Sequence, residues 1–286
     1  MNFKALKMDG LGNDFLIIDN RDQKIYLNQD QILKLSDKKN NIGFDQLIYI
    51  ENSNNADAEL KYFNSDGKKA DACGNGNRCI ADILIKEKKS DKVIFKVGKF
   101  LHYGEINQDN LVSILMPKPT NKLSDIPVSD EVKDNPLKLK VKENLFEGYL
   151  LNVGNPHIVF FKKISDNDLM EIGPIIENHK YFPDRVNVTF ADIQDRKNIK
   201  VNVWERGAGN TLACGTAACA TAFIASQTGK AENPVNIHFK RGHLTIEIQP
   251  DKNILMTGPV SKPKMKEVNL NDLQKYNYLW MQTKYL

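Results

Sequence analysis

Cysteine is scarce, with four in 286 residues, too few for the disulfide framework of a small secreted scaffold. Charge of one sign is not in excess either. The 40 basic and 36 acidic residues leave a net charge of +4 spread along the chain, so the lysines read as a solvated surface rather than a nucleic-acid footprint. No run approaches the roughly eighteen apolar residues a spanning helix needs, so no membrane partner is expected. The opening MNFKALKMDG lacks the apolar core of a secretory signal. The expected location is therefore the cytoplasm, where thiols stay reduced. What remains is an ordinary globular chain, 41% apolar and 27% charged, long enough for one large domain or two of common size.

The few cysteines are concentrated. All four fall in two segments, DACGNGNRCIA from Asp71 to Ala81 and LACGTAACA from Leu212 to Ala220. Short alternating or apolar runs predict strands over 15–19, 46–50, 59–63, 92–97 and 111–116, and again over 146–153, 158–161, 199–204, 235–239 and 244–248. Asn28 with Gln31 three residues later predicts a capped helix towards Lys39. A second helix is predicted over 166–179, and two more directly after Cys73 and Cys214. The stretch 117–136 carries four of the eleven prolines and reads as a linker or irregular connection.

On either side of that stretch the polar landmarks repeat. Cys73 and Cys214 lie 141 positions apart, as do Asn64 and Glu205, and Gln46 and Asn187. Gly12-Asn13 and Gly154-Asn155 keep the same relation at 142, a single insertion away. Four matches in order imply an internal duplication, each copy contributing one cysteine.

Cys-Gly at the first turn of a helix has a chemical consequence. The leading backbone N–H groups lack intrahelical partners and sit at the positive end of the dipole, where they bind a carboxylate and favour a thiolate. Two such helix ends could hold one carboxylate with its α-carbon between two sulfurs. One thiolate would remove the α-proton while the opposite thiol protonates the other face, inverting the centre without a cofactor. Cys79 and Cys219, further into the helices, read as small buried hydrophobes. A zinc site is disfavoured: the spacings within the pairs are six and five residues, not the two to four of zinc knuckles. Neither GNGN nor GLGND fits a dinucleotide-binding loop.

Taken together, LGNDF (Leu11–Phe15), GFDQ (Gly43–Gln46), FNSDG (Phe63–Gly67), ACGNGNRC (Ala72–Cys79), GNPH (Gly154–His157), VNV (Val186–Val188), ERGAG (Glu205–Gly209) and ACGT (Ala213–Thr216) resemble the diaminopimelate epimerase family, from about Met8 to Pro259. The resemblance implies conversion of L,L-diaminopimelate to the meso isomer, for lysine and peptidoglycan, with neither pyridoxal phosphate nor metal. It implies an α/β (α+β) fold of two pseudo-symmetric domains, each a curved β-sheet or barrel around a central helix, with the site in the cleft. The domains would be 1–117, joined by the C-terminal segment 262–286, and 118–261. Cys73 and Cys214 would be the bases. Gly74-Asn75 and Gly215-Thr216 would hold the reacting carboxylate through backbone N–H groups. Asn13, Gln46, Asn64, Asn155, Asn187, Glu205 and Arg206 would line the substrate pocket, with His157 and Glu205 also tuning the thiols. Arg206 suits a distal carboxylate and Glu205 an ammonium.

No cofactor and no metal are implied, and the partner is a small-molecule substrate; a homodimer is compatible with the sequence. Alternatives are a racemase of another amino acid in the same fold, or a hydro-lyase of the proline racemase-like group, in which one cysteine is typically replaced. Two positions depart from the family pattern, Asp9 where His is usual and Asn210 where Glu is usual. Past Val260 the chain is longer than the family needs, and Leu270, Leu273 and Tyr276 predict a short amphipathic turn packed on the body.

Overall fold

The computed structural model describes residues 2–70 and 73–271. The chain forms two compact units, one running to Val112 and resuming at Val260, the other covering Ser113–Pro259. The fold is mixed α+β, with long sheets and few helices. Among the described residues no helix is long and apolar enough to cross a membrane.

The first unit contains β1 (Asn2–Asp9), β2 (Asp14–Asp19), α1 (Gln29–Ser36), β3 (Gln46–Glu51), β4 (Ala58–Asn64), β5 (Lys69–Ala70), α2 (Gly74–Lys88), β6 (Lys92–Val97) and β7 (Phe100–Ile106). Strands β2 and β3 pair in parallel, with Phe15 opposite Gln46, and β3 pairs antiparallel with β4, Gln46 opposite Asn64. Strands β4 and β6 are again parallel. Parallel neighbours need a crossover, and α1 and α2 supply them.

Both faces of β2 and β3 are therefore covered, which is why FLII and LIYI are apolar without alternation. Leu16, Ile18, Leu47 and Tyr49 join the core under α1 with Ile32 and Leu35. Phe15 and Ile48 face α2, where Gly76 brings the helix backbone so close that a Cβ there would lie 2.9 Å from the Tyr62 ring.

The second unit contains β8 (Val112–Met116), β9 (Leu137–Val141), β10 (Asn144–Asn152), β11 (Pro156–Phe160), α3 (Asp166–Glu177), β12 (Asn187–Asp195), β13 (Asn198–Glu205), β14 (Gly209–Asn210), α4 (Gly215–Gln227), β15 (Val235–Phe239), β16 (Gly242–Ile248) and β17 (Ile254–Gly258). Its pairings follow the first unit step for step. Strands β11 and β12 are parallel, with His157 opposite Asn187, β12 and β13 antiparallel, and β13 and β15 parallel. Helices α3 and α4 are the crossovers. The chain then returns to the first unit as β18 (Lys264–Asn269), antiparallel to β1, as β9 is to β10.

Ile158, Phe160, Val188 and Phe190 face α3 in the larger core. Alternation along the strands turns His157, Asn187 and Glu205 to the opposite face, towards α4, which packs on β10, β11, β12, β15, β16 and β17. The proline-rich stretch belongs to the second unit as an irregular but packed connection: Ile126 and Val132 are buried in its core.

The predicted strands and the four predicted helices are present, with several strands the pattern did not isolate, among them β1, β7, β9, β12, β17 and β18. Helix α1 stops at Ser36, three residues short of the predicted end, with its capping box formed as read. Of the predicted C-terminal turn, Leu270 packs against the α1 core; Leu273 and Tyr276 lie outside the described residues.

Candidate active site

Helices α1 and α3 begin with side-chain caps, from Asn28 and Ser165. Helices α2 and α4 do not. Their N-cap residues are Cys73 and Cys214, both in extended backbone conformation, and neither carries a capping oxygen. A sulfur thus stands where a Ser or Asn oxygen would accept from the leading N–H groups, and at α4 the Ala217 amide bonds to the Cys214 sulfur. Cys79 and Cys219 are fully buried inside the helices, and none of the four cysteines is in a disulfide.

In the first unit Cys73 is half-buried. Asn75 is buried and donates through Nδ2 to Asn13 Oδ1 at 2.5 Å. Asn13 follows a tight turn: the Asp9 carboxylate accepts from Gly12 N–H at 3.0 Å, and Gly10 lies so close to Asn75 that a Cβ would sit 2.8 Å from its carbonyl oxygen. Asp9, at one of the departures from the family pattern, thus shapes the loop that presents Asn13. Gln46 Nε2 donates to Asn64 Oδ1 at 3.0 Å across the β3–β4 pair. Asn13, Gln46, Asn64, Gly74 and Asn75 thus fall into two hydrogen-bonded pairs and the helix end they frame.

In the second unit the predicted residues form one connected chain of contacts. His157 Nε2 donates to Asn155 Oδ1 at 2.9 Å, an arrangement that leaves Nδ1 unprotonated. Asn155 Nδ2 reaches Thr216 Oγ1 at 3.4 Å, and Thr216 Oγ1 lies 3.4 Å from Cys214 Sγ. Beyond the sulfur stands the Glu205 carboxylate, which also accepts from the Thr211 hydroxyl. Asn187 donates to the Pro156 carbonyl at 2.9 Å and accepts from Arg206 N–H at 3.0 Å. The Arg206 side chain is exposed and donates to the Asp184 carbonyl at 3.2 Å.

Electrostatics differ along that chain. Burial pushes the Cys214 thiol well above its ordinary pKa, and the Glu205 carboxylate adds to the effect; the Thr216 hydroxyl and the nearby Ala217 amide offset part of it. Burial also depresses His157, to a pKa of about 3, with the Arg206 charge acting in the same direction. His157 is therefore a neutral imidazole near pH 7, connected to the thiol through Asn155 and Thr216.

Asn210 is exposed on β14, opposite Trp204, while Glu205 faces Gly209. Thr211 and the buried Glu177 were not singled out in the sequence, and Asp9 only as a departure from the family pattern. A lone Thr, Asp or Glu carries no periodic signal, and only the contacts it makes in the fold distinguish it.

A family model described as diaminopimelate epimerase matches residues 5–117 and 149–263. A diaminopimelate epimerase of Pelagibacter ubique is 46% identical over 94% of this chain and 99% of its own length. One of Leptospira biflexa is 37% identical over 94% of this chain and all of its own. Among solved structures, a phenazine biosynthesis protein of the PhzF family from Bacillus anthracis superposes with a TM-score of 0.63 at 15% identity, covering 94% of this chain and 99% of that one. A hydroxyproline epimerase from Agrobacterium vitis, with trans-4-hydroxy-L-proline bound, gives 0.63 at 12% identity, covering 93% and 92%. These two share the fold. The family model and the close relatives carry the identity: this chain is a member of the diaminopimelate epimerase family.

Proposed function

We propose that this protein interconverts L,L- and meso-diaminopimelate by two-base proton transfer, with Cys73 and Cys214 as the acid–base pair and no cofactor. The observation that carries the reading is the matched pair of helix ends with cysteine at the N-cap, each opened by Cys-Gly at the same point of a repeated topology. N–H groups at Gly74-Asn75 and Gly215-Thr216 hold the reacting carboxylate. They also stabilise the charge that builds on it as the α-proton leaves. The raised pKa of Cys214 keeps that thiol protonated at rest, so it begins as the proton donor and Cys73 as the acceptor. Transfer reverses the two roles, and the opposite substrate restores them.

The amides of Asn13, Gln46, Asn64, Asn155 and Asn187 orient the substrate. Glu205 faces its ammonium and Arg206 its distal carboxylate. Neutral His157 holds Asn155 in place rather than carrying a proton. The reaction takes a free amino acid and needs reduced thiols, which fits a cytoplasmic enzyme.

The test uses L,L-diaminopimelate and L-lysine in deuterated water. Diaminopimelate is expected to gain α-deuterium and yield the meso isomer. Lysine, which lacks the second carboxylate, is expected to exchange about a hundredfold or more slower, because it cannot form the charge-assisted pair with the Arg206 guanidinium. Arg206→Ala is expected to narrow that ratio. Equal turnover of both substrates by the wild type sinks the diaminopimelate reading in favour of a broader racemase.

A further inference from the structure

Glu177 ends α3 on the side of the sheet away from Cys214, yet it is bound to the segment that carries Glu205 and Arg206. It is 5% exposed. One carboxylate oxygen accepts from Gly207 N–H at 2.7 Å and from the Arg185 guanidinium at 3.2 Å. The other accepts from Trp204 Nε1 at 2.7 Å. The chain is thus held at Trp204 and Gly207, on either side of Glu205-Arg206.

The packing around this carboxylate is tight. Trp204 lies against α3 at Gly173, where a Cβ would come within 2.8 Å of the indole, and Gly207 adopts a left-handed φ of +75° beside the Arg185 guanidinium. Asn187 fixes the intervening Arg206 N–H. Three consecutive amide positions, 206 to 208, are therefore bonded, the last by the Glu205 carbonyl. A buried carboxylate with three donors is costly to leave half-satisfied. Loosening it therefore shifts the turn rather than leaving the group alone.

We infer that Glu177 is a positioning residue: through Trp204 and Gly207 it sets where Glu205 stands against Cys214 and where Arg206 meets the substrate. The Arg206 half of this inference rests on the function proposed above; the Glu205 half rests on the contact with Cys214.

Glu177→Gln keeps the shape but replaces an acceptor oxygen by a donor. Two readouts separate the halves. The first needs no substrate: the pH dependence of Cys214 alkylation by iodoacetamide, followed by peptide mass spectrometry, is expected to move to lower pH as Glu205 withdraws from the sulfur. The second is kcat/KM for diaminopimelate relative to lysine. Glu177→Gln is expected to raise KM for diaminopimelate about tenfold with a smaller change in kcat, and to slow lysine exchange severalfold less than it lowers kcat/KM for diaminopimelate. On an Arg206→Ala background the same change is expected to add less than about twofold, because the group it positions is gone.

Trp204→Phe, which removes one donor and keeps the ring against Gly173, is the milder variant should Glu177→Gln fold poorly, with the same directions expected. An unmoved Cys214 profile together with equal losses on both substrates, or additive losses in the double variant, overturns the inference. If Arg206→Ala alone leaves the substrate ratio unchanged, the clamp reading has failed, and Glu177 is judged by the alkylation profile only.

Discussion

The helix that follows Cys73 and the helix that follows Cys214 occupy the same step of a repeated topology and are built from nearly opposite residues. Helix α4 is apolar on every side and buried from Ala217 to Ala225; its one interior hydroxyl, Thr221, bonds back to the Ala217 carbonyl at 2.8 Å. Helix α2 is equally buried from Asn75 to Ile85 but contains Asn75, Asn77, Arg78 and Asp82. Asn77 and Asp82 find partners within the unit. Asn77 accepts from the Tyr62 hydroxyl at 2.7 Å and meets His102 at 3.3 Å, and Asp82 binds Lys86 at 2.7 Å.

The contrast extends to the sheet. Asn64-Ser65 stands where the second unit has Glu205-Arg206, and Phe15 where it has His157. One unit offers amides and the other offers charge. On the function proposed above, a substrate with one reacting centre and one distal end gives a duplicated scaffold reason to diverge in this way, keeping the cysteines alike and specialising what surrounds them.

The hardest test of the likeness is to remove each sulfur. On the two-base proposal, in which each thiol serves one face of the α-carbon, Cys73→Ala and Cys214→Ala are each expected to lower epimerisation by about a thousandfold or more. The assay is meso product formed from L,L-diaminopimelate by purified, folded variants. Activity within about tenfold of wild type in either variant would show that the two helix ends are not equivalent, and the two-base mechanism would fail.

The difference between Phe15 and His157 can be probed with acid. His157 has a folded pKa of about 3, below the roughly 6.5 of an unfolded chain. Below pH 6.5 the unfolded state binds the proton that the folded state refuses, so stability is fully present above that pH and falls as pH drops towards 3. The loss is at most about 1.4 kcal/mol per pH unit. Urea unfolding between pH 7 and 4 is expected to show a steeper decline in wild type than in His157→Phe, which borrows the residue of the first unit. Parallel curves would falsify a buried neutral histidine as the cause.

Much of this was readable from the chain alone. The capping box at Asn28, the strand runs and the repeat offset translate directly into registers such as Phe15 opposite Gln46 and His157 opposite Asn187. Helix α2 shows where reading stops. Its polar residues carry no local sign of burial, and only the fold reveals that Tyr62, His102 and Asn13 come to meet them. Glu177 was illegible for the same reason: an acid at the end of a helix reads as surface until its donors arrive from residues 185, 204 and 207. Position along the chain specifies faces; partners for buried polar groups come from distant strands and leave no local trace.

Packing gives a smaller test. Gly76 has Ala217 as its counterpart 141 residues on. Making the units alike with Gly76→Ala gains helix propensity but drives a methyl to 2.9 Å from the Tyr62 ring and 3.1 Å from Ile48. In a core of strands buried on both faces neither neighbour can yield freely. A net destabilisation of about 1–3 kcal/mol is expected, read as a lowered Tm. A rise in Tm would mean that α2 can move off its sheet as far as an alanine requires.

The mildest way to sharpen the comparison leaves the sequence untouched. Cys73 is half-buried, whereas Cys214 is 5% exposed with its thiol pushed upward by burial and by Glu205. Alkylation proceeds through the thiolate, and each unit of raised pKa removes about ninety per cent of it. Iodoacetamide at pH 7.5 is therefore expected to modify Cys73 about tenfold or more faster than Cys214. Cys79 and Cys219, both fully buried, should remain unmodified until the protein unfolds. Site-resolved mass spectrometry over a time course gives both rates from one sample. Equal rates would mean that the Glu205 carboxylate does not distinguish the two sulfurs in solution, and that the charge asymmetry between the units stops short of the reacting groups.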